Sequence, residues 1–226
     1  MAVGELRGAG YLPQAVANHL ALLGWSDPEH REVMSLAEIA EAFDISRVSS
    51  APAAHDPARL RWLNAQHMRR LSGDERLELV DRAVGELPTG MDRAAVAAAL
   101  ADEVEVAGDA AALAAPLAAP LPFDAEASLA LSAPPVPTAL RAAAAALRGT
   151  VAEPPPGDGL AAAVRAGLKA VGVEMKVGLP ALRAALTGRA HGLPIGTLLA
   201  LLGPTASVAR VDAALAEIDS GEGRNE

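Results

Sequence analysis

The chain has 226 residues, no cysteine and a formal net charge of −9 at pH 7, and hydrophobic residues make up 51% of it. This length suffices for one large domain or for two to three small ones, each with a buried core. The absence of cysteine excludes disulfides, thiol catalysis and thiolate metal sites. Only 2% of the residues are aromatic, so Ala, Leu and Val supply the apolar surface, which favours helices over sheets. We therefore expect an all-α protein.

Three helices are predicted in the first part of the chain. Pro13 suits a first helical turn, and Gly24 can end that helix. The segment Ser35–Glu38 reads SLAE, the form of a capping box, and predicts the start of the second helix. Asp56, which directly precedes a proline, predicts the start of the third.

The rest of the chain predicts further helices and contains no useful stretch of strand periodicity. Asp92 and Asp158 are predicted to cap two of these helices. The prolines of Ser132–Pro137 disfavour helix and stiffen the connection, so this segment is the best candidate for a domain boundary; a second break is expected at Pro154–Gly157. We expect three helical domains, residues 1–73, 74–137 and 138–226, with the last containing helices around residues 158–171, 180–187, 194–202 and 205–217.

Two basic stretches interrupt this acidic chain. Residues 45–70 hold five arginines against a single acid, and residues 141–210 hold eight cations against three acids. Because a cationic surface usually drives phosphate binding, both stretches are candidates for contact with nucleic acid despite the net negative charge. The alternative is a scattered set of solvated charges, which would give the same counts.

No residue pattern predicts an autonomous active site. The five histidines show neither His-Glu-x-x-His spacing nor clustering with carboxylates, so no metal site is predicted. There is no N-terminal basic-plus-apolar signal, and the longest apolar run, Ala110–Phe123, contains three prolines and is too short to span a bilayer. We expect a cytoplasmic protein without membrane contact. Trp25 and Trp62 are predicted to be core anchors, because such large rings are seldom left exposed.

Three blocks of the sequence resemble glutamyl-tRNA synthetases of the bacterial type. Gly10–Ser26, GYLPQAVANHLALLGWS, is similar to the segment that follows the second ATP-binding signature of that family's catalytic domain. Ser35–Leu71 contains SLAE, EAFD, RVS and RWLNAQHMRR, and looks like the family's helical stem-contacting domain. Leu179–Gly203, LPALRAALTGRAHGLPIGTLLALLG, is similar to the anticodon-binding end.

The resemblance implies a helical stem-contact domain followed by helical-bundle anticodon-binding domains. An arginine can stack on a base or hold a phosphate bidentately, and the backbone of a turn can read the edges of splayed bases. The residues that the resemblance assigns to the anticodon loop are Arg183, Arg189, Gly192, Leu193 and Ile195. Those that it assigns to the tRNA stem are Arg47, Arg61, Asn64, Arg69 and Arg70.

The resemblance also implies partners and a division of labour. The expected partner is glutamate tRNA, with glutamine tRNA as a further candidate and a separate catalytic domain as a second partner. Neither a His-x-Gly-His motif nor a Lys-rich loop is present to bind ATP and stabilise adenylate formation, so the chain is expected to need no cofactor itself, ATP acting in the complete enzyme. The chain is expected to begin where such an active site ends.

Two alternatives stay open at this point. The chain could be a free-standing, non-catalytic tRNA-binding or regulatory protein, or a degenerate synthetase remnant. One departure from the family bears on them: Asp109 is the closest match to an arginine that often contacts an anticodon base, and an acid cannot supply that contact.

Overall fold

The protein is described by a computed structural model in which residues 2–49, 54–155 and 158–222 are placed. These residues form α-helices and one short 3-10 helix without any β-strand, which confirms the all-α prediction. In chain order the helices are α1 (Val3–Gly8), α2 (Pro13–Gly24), α3 (Leu36–Ala42), α4 (Pro57–Arg70), α5 (Gly73–Ala83), α6 (Arg93–Ala101), α7 (Asp109–Ala118), α8 (Ala125–Leu131), α9 (Val136–Arg148), α10 (Gly159–Ala170), α11 (Met175–Thr187) and α12 (Ile195–Glu222), with the 3-10 helix Ile45–Arg47 between α3 and α4.

The helices belong to two compact units. Unit 1 comprises Met1–Gly85 and Ala97–Ala112, and unit 2 comprises Glu86–Val96 and Leu113–Glu226. The predicted boundaries, after residue 73 and after residue 137, each lie inside one of these units. The division into three domains stays a prediction, and the predicted break at residues 154–157 lies partly outside the described residues.

Side-chain caps fix the predicted helix starts of unit 1. Ser35 Oγ accepts from the Glu38 N–H at 3.2 Å, and the Glu38 carboxylate accepts from the Ser35 N–H at 2.7 Å, so the capping box is formed. Asp56 Oδ1 accepts from the N–H groups of Ala58 and Arg59 at 2.9 and 3.2 Å. The sequence signals at both starts are confirmed.

The two tryptophans of unit 1 lie in different environments. Trp25 is 4% exposed and its ring centroid is 5.7 Å from that of Phe43, which confirms it as a core anchor. Trp62 is 41% exposed, so its prediction as a core residue is wrong. The reason is the helical period: α4 buries Leu60 and Leu63, and position 62 lies about 200° around the helix from position 60.

Small residues permit the helices of unit 2 to pack closely. The buried face of α9 is built mainly from Ala and Leu, and α10, α11 and α12 all pack against it. At Gly167 of α10 a Cβ would lie 3.0 Å from the Ala142 carbonyl oxygen and 3.2 Å from Ala146 Cβ. The backbones of α9 and α10 therefore meet at a separation that a larger side chain would increase.

Helix α11 begins about one turn before its predicted start. The predicted helix starts at Pro180, whereas the observed helix begins at Met175 and contains that proline. The added turn carries Gly178, where a Cβ would lie 2.9 Å from Leu168 Cδ1 of α10. The added turn of α11 therefore packs against α10, a contact that the sequence does not reveal.

Helix α12 is broken near its middle. Gly203 has φ 71° and ψ 167°, outside the helical region, and Pro204 follows it, which confirms the two helices predicted around residues 194–202 and 205–217. By length and mean hydropathy alone, Ile195–Ser220 could cross a membrane. The break and the presence of Arg210 and Asp212 in the second half favour a helix of a folded domain.

Candidate nucleic-acid interface

Arg183 shapes the turn that the sequence assigns to the anticodon. Its Nε donates to the Leu193 carbonyl oxygen at 3.0 Å, and its Nη1 donates to the Ala190 carbonyl oxygen at 3.0 Å. Burial lowers the pKa of Arg183, because the surrounding protein solvates the charge less well than water. The guanidinium therefore holds the backbone of residues 190–193 in place.

The predicted anticodon residues in this turn differ in exposure. Leu193 and Ile195 are 3% and 7% exposed, so their side chains belong to the core of unit 2. Gly192 is exposed and has φ 140°, a conformation that other residues rarely adopt. What the turn offers to a ligand is therefore backbone at Gly192, with Leu193 and Ile195 as anchors beneath it.

Replacing Gly188 with alanine is expected to destabilise unit 2 by about 2 kcal/mol or more. Gly188 ends α11 with φ 79°, and a Cβ there would collide with the Leu121 carbonyl oxygen. Gly172→Ala is the matched control, since Gly172 has φ 73° and no atom within 4 Å of the added Cβ. Urea unfolding followed by circular dichroism should show the larger loss for Gly188→Ala; equal losses would contradict a role for the contact.

Arg189 of unit 2 also binds backbone carbonyl oxygens. Arg189 Nη1 donates to the carbonyl oxygens of Pro122 and Gly188 at 2.7 and 2.8 Å, and its Nε lies 3.4 Å from a carboxylate oxygen of Asp124. Arg189, which the resemblance assigns to the anticodon loop, thus ties the end of α11 to the segment before α8.

Arg210 holds together the ends of two helices. It donates to the carbonyl oxygens of Pro116, Leu186 and Leu117 at 2.6, 2.8 and 2.7 Å. These oxygens lie in the last turns of α7 and α11, where backbone acceptors lack partners within the helix. Burial lowers the pKa of Arg210. Sequence reasoning missed this residue because its acceptors lie up to 94 positions away.

Two predicted stem residues of unit 1 are engaged within the protein. Arg61 Nε lies 2.6 Å from a Glu105 carboxylate oxygen, and Arg61 also pairs with Asp109. These acids raise the pKa of Arg61, Asp109 most strongly. Asn64 is fully buried; its Oδ1 accepts from the Leu12 N–H at 2.8 Å, and its Nδ2 donates to the Glu105 carbonyl oxygen at 2.6 Å. Asn64 therefore has a structural role, because it links two backbone segments of unit 1. Asp109 forms an ion pair with Arg61.

The other predicted stem residues lie at the surface. Arg47 is exposed in the 3-10 helix, and Arg69 and Arg70 are exposed at the end of α4. Arg70 Nη2 donates to the Val33 carbonyl oxygen at 2.9 Å. The structure thus brings Arg69 and Arg70 together as exposed cations, while Arg61 and Asn64 meet at Glu105.

The buried histidines of unit 1, His19 and His67, are in surroundings that disfavour their charged form. His67 Nε2 lies 3.1 Å from Asn18 Oδ1, which also accepts from the Met34 N–H; an amide oxygen only accepts, so Nε2 carries the proton. His19 Nε2 lies 2.9 Å from His55 Nδ1. Burial is the main cause that lowers the pKa of both His67 and His19. Within the described ranges, no three His, Asp or Glu side chains are grouped to hold a metal ion.

The stability of unit 1 is expected to fall as the pH decreases through the ordinary histidine pKa of about 6.5. Below the ordinary histidine pKa of about 6.5, the unfolded chain binds a proton that the folded chain excludes from His67. The stability of unit 1 is thus highest above that pH, and it declines with falling pH until the lowered pKa of His67 is reached. The charge of Arg70 also lowers the pKa of His67, whereas the charge of Glu38 raises it.

Urea unfolding followed by tryptophan fluorescence measures this effect, because both tryptophans lie in unit 1. His67→Asn should show a shallower decline, since it removes the titrating ring and keeps a donor for Asn18. An equal decline in both proteins would contradict the assignment.

Comparisons with known proteins agree with the sequence resemblance. A family model described as an anticodon binding domain matches residues 61–215, and one described as the catalytic domain of class I tRNA synthetases (E and Q) matches residues 1–62. Residues 1–62 thus match part of a catalytic-domain model, whereas the resemblance assigned residues 1–73 to a stem-contact domain.

Relatives span nearly the whole chain. Glutamate–tRNA ligase 1 of Rubrobacter xylanophilus is 38% identical over 214 residues, which cover 92% of this chain and 48% of that protein. Glutamate–tRNA ligase of Geobacillus stearothermophilus is 32% identical over 231 residues, which cover 95% and 46%. The chain therefore spans about half the length of these curated relatives.

A solved structure shows the same fold. The crystal structure of a glutamate tRNA ligase from Elizabethkingia meningosepticum matches with a TM-score of 0.71 and 23% identity, over 93% of this chain and 42% of that chain. The relatives reported above that span the chain are glutamate–tRNA ligases. Because the anticodon-binding model covers well over half of the chain, this protein belongs to the anticodon-binding-domain family.

Proposed function

We propose that this chain binds tRNA as the C-terminal half of a glutamate–tRNA ligase, which as a whole joins glutamate to tRNA with the use of ATP. The single observation that carries the proposal is the match of residues 61–215 to the anticodon-binding family. The proposed partners are glutamate tRNA and a catalytic domain, and the proposed location is the cytoplasm. In such an enzyme this half contributes substrate selection through oriented binding energy.

The anticodon contact is proposed at the turn that follows α11. The turn has exposed backbone at Gly192 and is held by the two carbonyl contacts of Arg183. A rigid turn with free backbone groups can read base edges without paying the entropy of ordering a loop. Arg183 is thus a positioning residue for the turn, and Leu193 and Ile195 fix it to the core.

The stem contact is proposed at the exposed cations of unit 1. Arg47, Arg69 and Arg70 lie at the surface, where each can meet a phosphate oxygen. Arg61 is engaged with Glu105 and Asp109, so it contributes only if RNA displaces these acids.

Fluorescence anisotropy with labelled tRNA transcripts tests the proposal. The chain should bind glutamate tRNA in a salt-dependent manner, and binding should weaken when the anticodon of the same tRNA is replaced. The affinity for glutamine tRNA, measured in the same way, shows whether the chain distinguishes it from glutamate tRNA. Absence of binding, or equal binding of all tRNAs, would contradict the proposal.

Aminoacylation separates this half from the complete enzyme. The purified chain with glutamate, ATP and tRNA should yield no glutamyl-tRNA, and addition of a catalytic domain from a relative should restore the product. Turnover by the chain alone would contradict the proposed division of labour. Restored product would argue against a free-standing regulator or a degenerate remnant.

A further inference from the structure

Most cations of unit 2 are already engaged by the protein. Arg183 and Arg210 donate to backbone carbonyl oxygens and Arg189 to two such oxygens beside Asp124. The remaining pairs join side chains at the surface. They are Arg141 with Asp219 at 3.2 Å, Arg148 with Asp212 at 2.6 Å and Lys176 with Glu174 at 2.8 Å. Cations held in this way are poorly placed to attract phosphate.

Helix α10 differs from this pattern. Its exposed residues include Arg165 and Lys169, and no acid pairs with either among the described residues. The helix reads GLAAAVRAGLKA and contains no acid of its own. Arg165 and Lys169 are four residues apart, so they are neighbours on one side of the helix.

The exposed side of α10 carries small residues beside these two cations. Leu160, Ala161, Val164 and Leu168 are buried, and the exposed positions beside the cations are occupied by alanines at 162, 166 and 170. Methyl groups leave room for a phosphodiester chain to approach the helix closely. We call Arg165, Lys169 and these alanines the α10 strip.

The α10 strip lies near the turn proposed to meet the anticodon. A Cβ at Gly196 would lie 3.8 Å from Ala161 Cβ, so the first turn of α12 packs against the start of α10. Gly192 lies three residues before Ile195, where α12 begins. Arg165 is one helical turn beyond Ala161, about 6 Å along the axis. The start of α12 thus links the turn to the helix that carries the α10 strip.

We infer that Arg165 and Lys169 bind phosphate groups of the tRNA backbone next to the anticodon loop. This inference rests on the proposed function and adds a second contact surface to unit 2. Arg165 can hold a phosphate with two parallel N–H donors, and Lys169 adds a point charge one turn further on. Phosphate contacts carry no base sequence, so the strip adds affinity and orientation, while the turn selects the anticodon.

The double variant Arg165→Gln/Lys169→Gln tests the inference in the full chain. Anisotropy with glutamate tRNA over a salt series gives the slope of log K against log salt concentration. Each lost phosphate contact should reduce the magnitude of that slope by about 0.7–0.9. The slope of the double variant should therefore be smaller in magnitude than the wild-type slope by about 1.5. The loss should be the same for glutamate tRNA with a replaced anticodon.

Arg141→Gln/Arg148→Gln is the matched control, because it removes the same charge from unit 2 but from cations already paired with Asp219 and Asp212. Its slope should stay at the wild-type value. Arg165→Lys/Lys169→Arg, which keeps both charges, should keep most of the slope as well. Circular dichroism of each variant checks that unit 2 is folded.

The outcomes separate the inference from the proposed function. Wild-type binding with an unchanged slope in the α10 variant would overturn the inference and leave the proposed function standing. An equal loss in the Arg141/Arg148 control would also overturn it, since net charge would then explain the effect. Absence of binding by the wild-type chain would overturn both.

Discussion

Replacing Arg210 with methionine is expected to lower the free energy of unfolding of unit 2 by about 2–4 kcal/mol. Methionine fills part of the same space but cannot donate, so the carbonyl oxygens of Pro116, Leu117 and Leu186 lose their shared partner. Each is an acceptor near a helix end, and leaving such groups unpaired costs more than the bond itself is worth.

Hydrogen exchange of peptides from α7, α11 and α12 measures this loss locally. Arg148→Met is the matched control, because it removes one positive charge from unit 2 at a surface pair with Asp212, and such pairs contribute under about 1 kcal/mol. Faster exchange should be confined to Arg210→Met. Similar exchange in both variants would contradict the role of Arg210 as a link between helix ends.

Replacing Asn64 with leucine is expected to destabilise unit 1 by about 2–3 kcal/mol. Leucine has a similar volume but leaves the buried Leu12 N–H and the Glu105 carbonyl oxygen without their partner. Because Asn64 is fully buried, any effect of this variant on tRNA binding should follow from loss of the fold.

Urea unfolding by tryptophan fluorescence measures the stability of unit 1, and tRNA binding is measured where the variant is still folded. Arg69→Leu is the control on the same helix, since Arg69 is exposed. It should weaken binding and leave stability within about 0.5 kcal/mol of wild type. A stable Asn64→Leu protein with weakened binding would show instead that Asn64 acts on the RNA.

The arginines of the chain form two groups with different roles. Arg183, Arg189 and Arg210 donate mainly to carbonyl oxygens and organise the end of α11 with the segments around it. The other group is exposed and is proposed to contact phosphate; it consists of Arg47, Arg69, Arg70 and Arg165. Counting cations along the sequence combines both groups, because the count contains no information on acceptors that are distant in the chain.

Local signals in the sequence predicted the helix starts well. The capping box at Ser35 and the cap at Asp56 both formed, because the groups that they join lie within three residues of each other. The predicted cap at Asp158 is a partial exception. Helix α10 does begin directly after it, yet its side chain makes no cap hydrogen bond and its Oδ1 lies against Gly196.

The candidate site was harder to predict than the fold. The resemblance located the turn after α11, but the roles of its residues depend on burial. Leu193 and Ile195 are in the core. Arg183, which the resemblance assigns to the anticodon loop, donates to two backbone carbonyl oxygens of the turn. The place of the site and its individual contacts with tRNA stay predictions.

Composition, caps and ordered motif blocks are properties of short segments, so they were enough to predict the helical class, the capped helix starts and the family resemblance. By contrast, the cations that have no acidic partner among the described residues could be identified only from the folded structure. Arg61 and Arg165 look alike in sequence, but Arg61 meets Glu105 and Asp109, more than forty residues away, whereas Arg165 meets no acid among the described residues. The physical reason is that an arginine binds whichever acceptors folding brings within reach, and those acceptors come from distant parts of the chain.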